Sequence, residues 1–343
     1  MQPLASPSHH VADPYEAIEL YYDNGWTDGL PVVPPTEGRV REFLAACGKE
    51  PSDVIGVVPT RGRAITAEKI AINAVMAGCR PEYMPVLIAV LEAMTQPEFN
   101  YHGALASTQG SAQLIVINGP IARELNVNSG VNVLAPGWRA NATIGRAVRL
   151  IIINVTDGMP GVLDKGTLGH GGKYSMCIAE NEDASPWEPL HVQRGFSPTD
   201  SAVTVMAVLS PFQFSDGTSN RPEPYLDHTA DRMKAFPAHM GQFVLLMPPE
   251  HARIFRNSGW SKKQAREYLH ARAQVTAAEL RRRPGQGVSA EVAGADDELH
   301  SIVDEADGIL FIVAGGDAGG FTDLIQPWGG GRSSRAVTRL VEV

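Results

Sequence analysis

Five short apolar runs, each of strand length and set apart by stretches of helical character, constrain this chain more than any other feature. They are Val54–Pro59, Gln113–Asn118, Ala202–Leu209, Phe243–Met247 and Ile309–Ala314. Between them, Thr66 caps a helix over Ala67–Ala77 that Gly78 stops in the manner of a left-handed C-cap. Pro81 opens a second helix that carries the buried run Val86–Leu91, and Ala140–Leu150 reads as a third. A helix starts at Pro249, and Ser261 with Gln264 has the spacing of a capping box for another that continues through Arg272. Ile151–Val155 fits helix or strand equally, because so short an apolar run has no decisive period. Strands alternating with helices predict an α/β fold: mixed or parallel sheets flanked by helices, arranged as two similar lobes, 1–200 and 201–343.

At 343 residues, 43% hydrophobic and 20% charged, the chain can bury an ample core. A net charge of −9 argues against a general nucleic-acid or anionic-membrane surface. No run of about 20 apolar residues appears, and the start lacks a basic and apolar leader, so the expectation is a cytoplasmic protein. The three cysteines, Cys47, Cys79 and Cys177, are widely spaced and form no CxxC pair, which disfavours a disulfide scaffold or a structural zinc site.

Chemistry-bearing residues concentrate in 166–183, where a glycine-rich loop carrying His170 and Lys173 precedes Cys177, Glu180 and Glu182. On a persisting strand, Glu180 and Glu182 share a face, and two like charges there push one pKa upward, which suits acid and base work. His170 and Lys173 would favour a thiolate at Cys177. Cys79, ahead of a helix start, is a second candidate thiol. The loop is no phosphate loop: Thr167 and Tyr174 stand where a Walker A motif needs Gly and Ser or Thr. Gly315–Gly320 likewise misses GxGxxG at Asp317.

Two polar stretches could hold substrate. His102, Ser107 and Thr108 lie in a small-residue loop ahead of a strand, and Arg139 and Asn141 open a helix. Arg139 opposes the helix dipole there, which points to a ligand or a buried acid as its partner. Glu250 and His251 sit at a strand-to-helix junction, but one histidine without a second at i+4 is weak for a metal, and no metal ligand set is assigned.

Trp26–Val32, Asn73–Tyr83, Arg139–Arg146 and Cys177–His191 together give most of the chain a resemblance to an uncharacterised bacterial family associated with proteins named for a UGSC selenocysteine motif. The chain has no UGSC or CGSC tetrapeptide. The resemblance implies no settled activity, and no residue role follows from it.

The residues together lead to an enzyme, a hydrolase or lyase, cleaving a small polar or anionic metabolite. Glu180 or Glu182 and His170 would serve acid and base chemistry, with Cys177 as nucleophile. Ser107, Thr108, Arg139, Asn141, Lys173 and His102 would hold the substrate. The cofactor is unknown, no nucleic acid or membrane is a partner, and a homo-oligomer is allowed. The alternatives are a thiol-redox protein using Cys79 and Cys177, or a non-catalytic metabolite-binding protein.

Overall fold

Alternation of strand and helix builds one curled, mixed sheet flanked by helices, an α/β fold; the computed structural model describes residues 2–283, 292, 294–329 and 334–342. Helices of ten or more residues are α1 (Pro14–Asp23), α2 (Glu37–Ala46), α3 (Ala67–Ala77), α4 (Met84–Met94), α5 (Arg139–Asn154), α6 (Pro222–Met233), α7 (Pro249–Ser258) and α8 (Lys262–Arg272). The central sheet contains β1 (Ala112–Asn118), β2 (Cys177–Ala179), β3 (Ala202–Ser215), β4 (Phe243–Met247), β5 (Ile309–Val313), β6 (Phe321–Pro327) and β7 (Val337–Leu340). The Val54–Val58 run pairs instead with Arg63–Thr66 in a separate hairpin. Of the segment 284–297, residues 284–291 and 293 lie outside the described residues.

Local chemistry accounts for the helix ends. Thr66 accepts a hydrogen bond from the Lys69 amide, and Gly78 ends α3 at φ 87°, where a side chain would be strained. Ser261 and Gln264 form the reciprocal capping box of α8. The ambiguous run after Leu150 continues α5 as helix to Asn154, with Ile151 and Ile152 fully buried.

The sheet order is β2-β1-β3-β6-β4-β5, with β7 also beside β3. β1 and β2 are parallel and β3 runs antiparallel to β1. The second half repeats this arrangement: β4 and β5 are parallel and β6 runs antiparallel to β4. The repeats meet where β3 pairs antiparallel with β6. One sheet therefore passes through both 1–200 and 201–343, and β3, which opens the second segment, pairs with β1 of the first.

Strand periodicity divides the core. Ile115, Ile117, Cys177, Ala179, Val203 and Val205 face a core shared with α3, α4 and α5. Phe243, Leu245, Ile309, Phe311 and Leu324 face another beneath α6, α7 and α8. The alternate residues, among them Val116, Ile178, Met206, Leu246, Ile312 and Ile325, share a third core with each other. Curling makes that possible by bringing the two sheet edges together. The Asn181 amide, just past β2, donates to the Val313 carbonyl of β5 at 2.7 Å, and Gly315 donates to Ser129 at 2.8 Å. Among the described residues, no helix is long and apolar enough to cross a membrane.

Candidate functional site

The glycine-rich loop and the Ser107 loop come together, with Ser107 and Lys173 engaged and His102 Nδ1 and His170 Nε2 buried without a hydrogen-bond partner. A Cβ added at Gly110 would stand 3.1 Å from Gly169 Cα, so the two backbones touch. Thr167 donates its amide to the Thr108 carbonyl at 2.8 Å. Ser107 Oγ accepts from Trp328 Nε1 at 2.9 Å and from the Gln109 amide at 3.1 Å. Lys173 is not a free cation: its Nζ lies 2.7 Å from Asp164, which Arg149 also reaches at 2.8 Å. Burial opposes ionisation of Asp164, yet Lys173 and Arg149 hold its carboxyl below the usual range. His170 Nδ1 accepts from the Gly172 amide at 3.2 Å, and burial lowers the imidazole pKa, which favours the neutral ring. His102, on the helical turn Tyr101–Leu105, has Nδ1 buried without a hydrogen-bond partner.

Arg139 and Asn141 serve the backbone. Arg139 donates from Nε to the Gly78 carbonyl at 2.9 Å and from Nη2 to the Cys79 carbonyl at 3.2 Å. Its charge thus answers the negative end of α3, which resolves its unfavourable position at the start of α5 without a ligand. Asn141 accepts from the Asn128 amide at 2.8 Å and donates to the carbonyls of Asn128 and Cys177, each at 3.0 Å. The expected substrate role of both gives way to these bonds. Asn141→Ala strands three buried backbone groups and is expected to cost about 2–4 kcal/mol in a urea titration.

Cys177 faces the core beneath α5 and is 3% exposed. Burial pushes its thiol well above the ordinary range, with Cys79 adding to the rise. Cys79, which donates to the Thr143 carbonyl at 3.3 Å, is pushed up to about 12 by burial. A nucleophilic or redox thiol needs the opposite shift. The geometry therefore withholds from Cys177 the activation expected from His170 and Lys173, which stand elsewhere in the partnerships above.

Glu180 and Glu182 lie past the end of β2 and converge on Asn118 at the end of β1. Asn118 Nδ2 donates to Glu180 at 2.7 Å and to Glu182 at 2.9 Å. Glu180 also accepts the Leu190 amide at 2.8 Å, and Glu182 the Gly119 amide at 2.8 Å. Burial raises the Glu180 pKa, against the charge of Lys262. Lys262 is itself pushed down to about 8 by burial, and its Nζ donates to the Phe311 carbonyl at 3.2 Å. His191, fully buried, stands 3.9 Å from Glu182. Shared bonds to Asn118, Gly119 and Leu190 thus tie the ends of β1 and β2 to the helical turn Leu190–Gln193 as a polar strut, with Glu180 buried and Glu182 17% exposed. Glu180→Ala is expected to lower stability by about 3 kcal/mol, because it leaves the Leu190 amide and Lys262 uncompensated. Thermal unfolding of the variant checks this.

The equivalent position in the second repeat is open. A cavity of about 370 Å3 lies at the carboxyl ends of the parallel pair β4 and β5, where Pro248 and the loop Ala314–Gly316 follow the strands. Open α/β sheets place ligands at such carboxyl ends. Val133, Leu134, Leu246 and Phe321 give it apolar walls, and Asn132, Gln213 and Asp323 give it polar side chains. Asp323 shares the inward face of β6 with Ile325, which turns it away from the α6 side of the sheet. Burial raises its carboxyl pKa while the adjacent Gln213 amide pulls it down, and Oδ1 is buried without a hydrogen-bond partner. The approach to β6 is fixed from α7. His251 contacts Thr322 Oγ1 at 2.9 Å and the Asp216 carbonyl at 2.7 Å, and Glu250 accepts the Gly320 amide at 2.9 Å. These bonds engage both residues of the strand-to-helix junction, where a single histidine is only a weak metal signal. Among the described residues, no cluster of three or more His, Cys, Asp or Glu is placed to hold a metal ion.

Sequence reasoning missed Asp323 and Gln213. The available signal was a carboxylate alternating with apolar residues in Phe321–Ile325, directly after Gly319-Gly320. Comparison with protein-family models, with curated proteins and with solved structures finds no match to this chain.

Proposed function

We propose that the chain is an enzyme that cleaves a small polar metabolite, by hydrolysis or carbon–heteroatom lysis, in the cavity above β4 and β5. The observation that carries this reading is Asp323: a cavity-lining carboxyl, raised by burial and lacking a partner at Oδ1. As a carboxylate, such a group can take a proton from water or carbon, the part of a general base, and a pKa raised above that of an exposed aspartate makes it a stronger one. The volume matches that of a small-molecule site. This assignment moves the acid and base role from Glu180 and Glu182, which are bound to Asn118 and to backbone amides, to a carboxyl that lines a cavity. The setting of this reading is the cytoplasm, with small molecules rather than nucleic acid as partners, and self-association is compatible with it.

The test is incubation of the purified protein with a small-metabolite extract, read by mass spectrometry, beside Asp323→Asn and Glu180→Gln. A metabolite consumed by wild type and Glu180→Gln but not by Asp323→Asn supports the reading. Loss in Glu180→Gln alone, with folding retained, moves the chemistry to the strut. Binding without consumption replaces the enzyme with a binding protein.

A further inference from the structure

We infer that the cavity takes an organic ammonium ligand, held by the Asp323 carboxylate and the Phe321 ring, and that it rejects small anions. This rests on the reading of the cavity as the ligand site and names its substrate class. Among the described residues lining the cavity, Asp323 is the sole charged one, and neither lysine nor arginine joins it. The cation that approaches the adjoining loop, Arg253, is paired there with Asp317. An anion entering the cavity would therefore lose its hydration and meet a carboxylate with no compensating charge, an unfavourable exchange.

An ammonium group makes the opposite exchange. It brings three donors and no acceptor, which suits a carboxylate whose Oδ1 lacks a partner, and the Asn132 and Gln213 amide oxygens offer further acceptors. Phe321 supplies an aromatic face beside this carboxylate, two residues away on β6. Aromatic faces attract organic cations, and more strongly where water is excluded. The chain's net charge of −9 adds a long-range field that concentrates cations and repels anions.

Three probes of one skeleton separate charge from shape: benzylamine, benzyl alcohol and benzoate. Each is titrated into the full chain at neutral pH while the backbone resonances of Leu246, Gly315, Gly316 and Phe321 are followed by NMR, and each is repeated with Asp323→Asn. Benzylamine is expected to shift these resonances with at least tenfold tighter binding than benzyl alcohol, and benzoate is expected to leave them unmoved. Asp323→Asn should bring benzylamine to the level of the alcohol. Benzyl alcohol or benzoate binding as tightly as the amine would overturn the ammonium assignment while leaving the cavity a ligand site, as would an amine affinity indifferent to Asp323→Asn. If no probe moves any lining resonance, the reading of the cavity as the functional site fails as well. The wild-type series decides the charge preference even where the variant does not fold.

Discussion

Asp323→Asn is expected to slow consumption of the substrate by roughly a hundredfold or more, the scale on which a positioned general acid or base acts. The substitution preserves size and replaces the titrating carboxyl by a neutral amide. Because Asp323 lies in the cavity, beside Gln213 on the neighbouring strand, the amide should fit the same space. Folding should thus survive, and circular dichroism with urea titration checks that it does. The pH–rate profile supplies a second readout. Burial raises the Asp323 carboxyl, so a limb should appear above the ordinary aspartate range. That limb rises with pH where Asp323 enters the reaction as base and falls where it enters as acid. It should be absent from the variant. An unchanged rate and profile would remove Asp323 from the chemistry.

Alkaline pH is expected to destabilise the fold steeply, because two core thiols ionise far more readily once the chain unfolds. Cys79 is raised to about 12 and Cys177 is raised further by the same burial. A raised thiol contributes stability that is fully present below the unfolded pKa of about 8.5 and is lost as pH climbs through the folded value. The pair should therefore remove up to about 2.7 kcal/mol per pH unit within that window. Lys262 works the other way. Its folded pKa of about 8 lies below the unfolded one, so stability rises between pH 8 and about 10.4 and offsets roughly half of the thiol loss. Above that window the offset ends and the slope steepens. Urea midpoints measured from pH 7 to 11 should show this two-stage fall; Cys79→Ala with Cys177→Ala should flatten the first stage, while Tyr101 and Tyr225, raised by the same burial, sustain the fall above about pH 10. A thiol reagent adds an independent check: the half-buried Cys47 should react in the native protein, with Cys79 and Cys177 reacting only as it unfolds. Rapid native labelling of Cys177 would restore the nucleophile reading.

The α/β class and several elements were legible because local chemistry specifies them. Residues 114–117, 243–247 and 309–313 are uninterrupted apolar runs, and Gly78 and Ser261 carry the stop and start signals of their helices. Strand β6 was hidden by its mixed composition, with Asp323, Gln326 and Pro327 interrupting the apolar pattern. The far end of β3 was hidden by Ser210-Pro211, a pair that reads as a break. Helix α2 was obscured by charge, with Glu37, Arg39, Arg41 and Glu42 diluting its apolar stripe. Sheet order and curl depend on pairings between distant segments, and no local period reports them.

The site was less legible for the same reason. Reactive residue types in 166–183 stood out as a cluster in sequence, but folding assigns Lys173 to Asp164, Glu180 to Asn118 and Cys177 to the core. The cavity draws instead on residues 132–135, 213, 246, 248, 314–316, 318, 321 and 323, which only the curled sheet assembles. Asp323 gains its chemical character from that assembly, since an aspartate in an exposed strand would keep an ordinary pKa.

The most direct measurement is a crystal structure of the protein with its consumed metabolite, trapped in the Asp323→Asn variant. The account predicts ligand density in the cavity at the ends of β4 and β5, with a polar ligand atom within hydrogen-bonding reach of residue 323. Density beside Glu180, or between the Ser107 and His170 loops with the cavity holding only solvent, would contradict it.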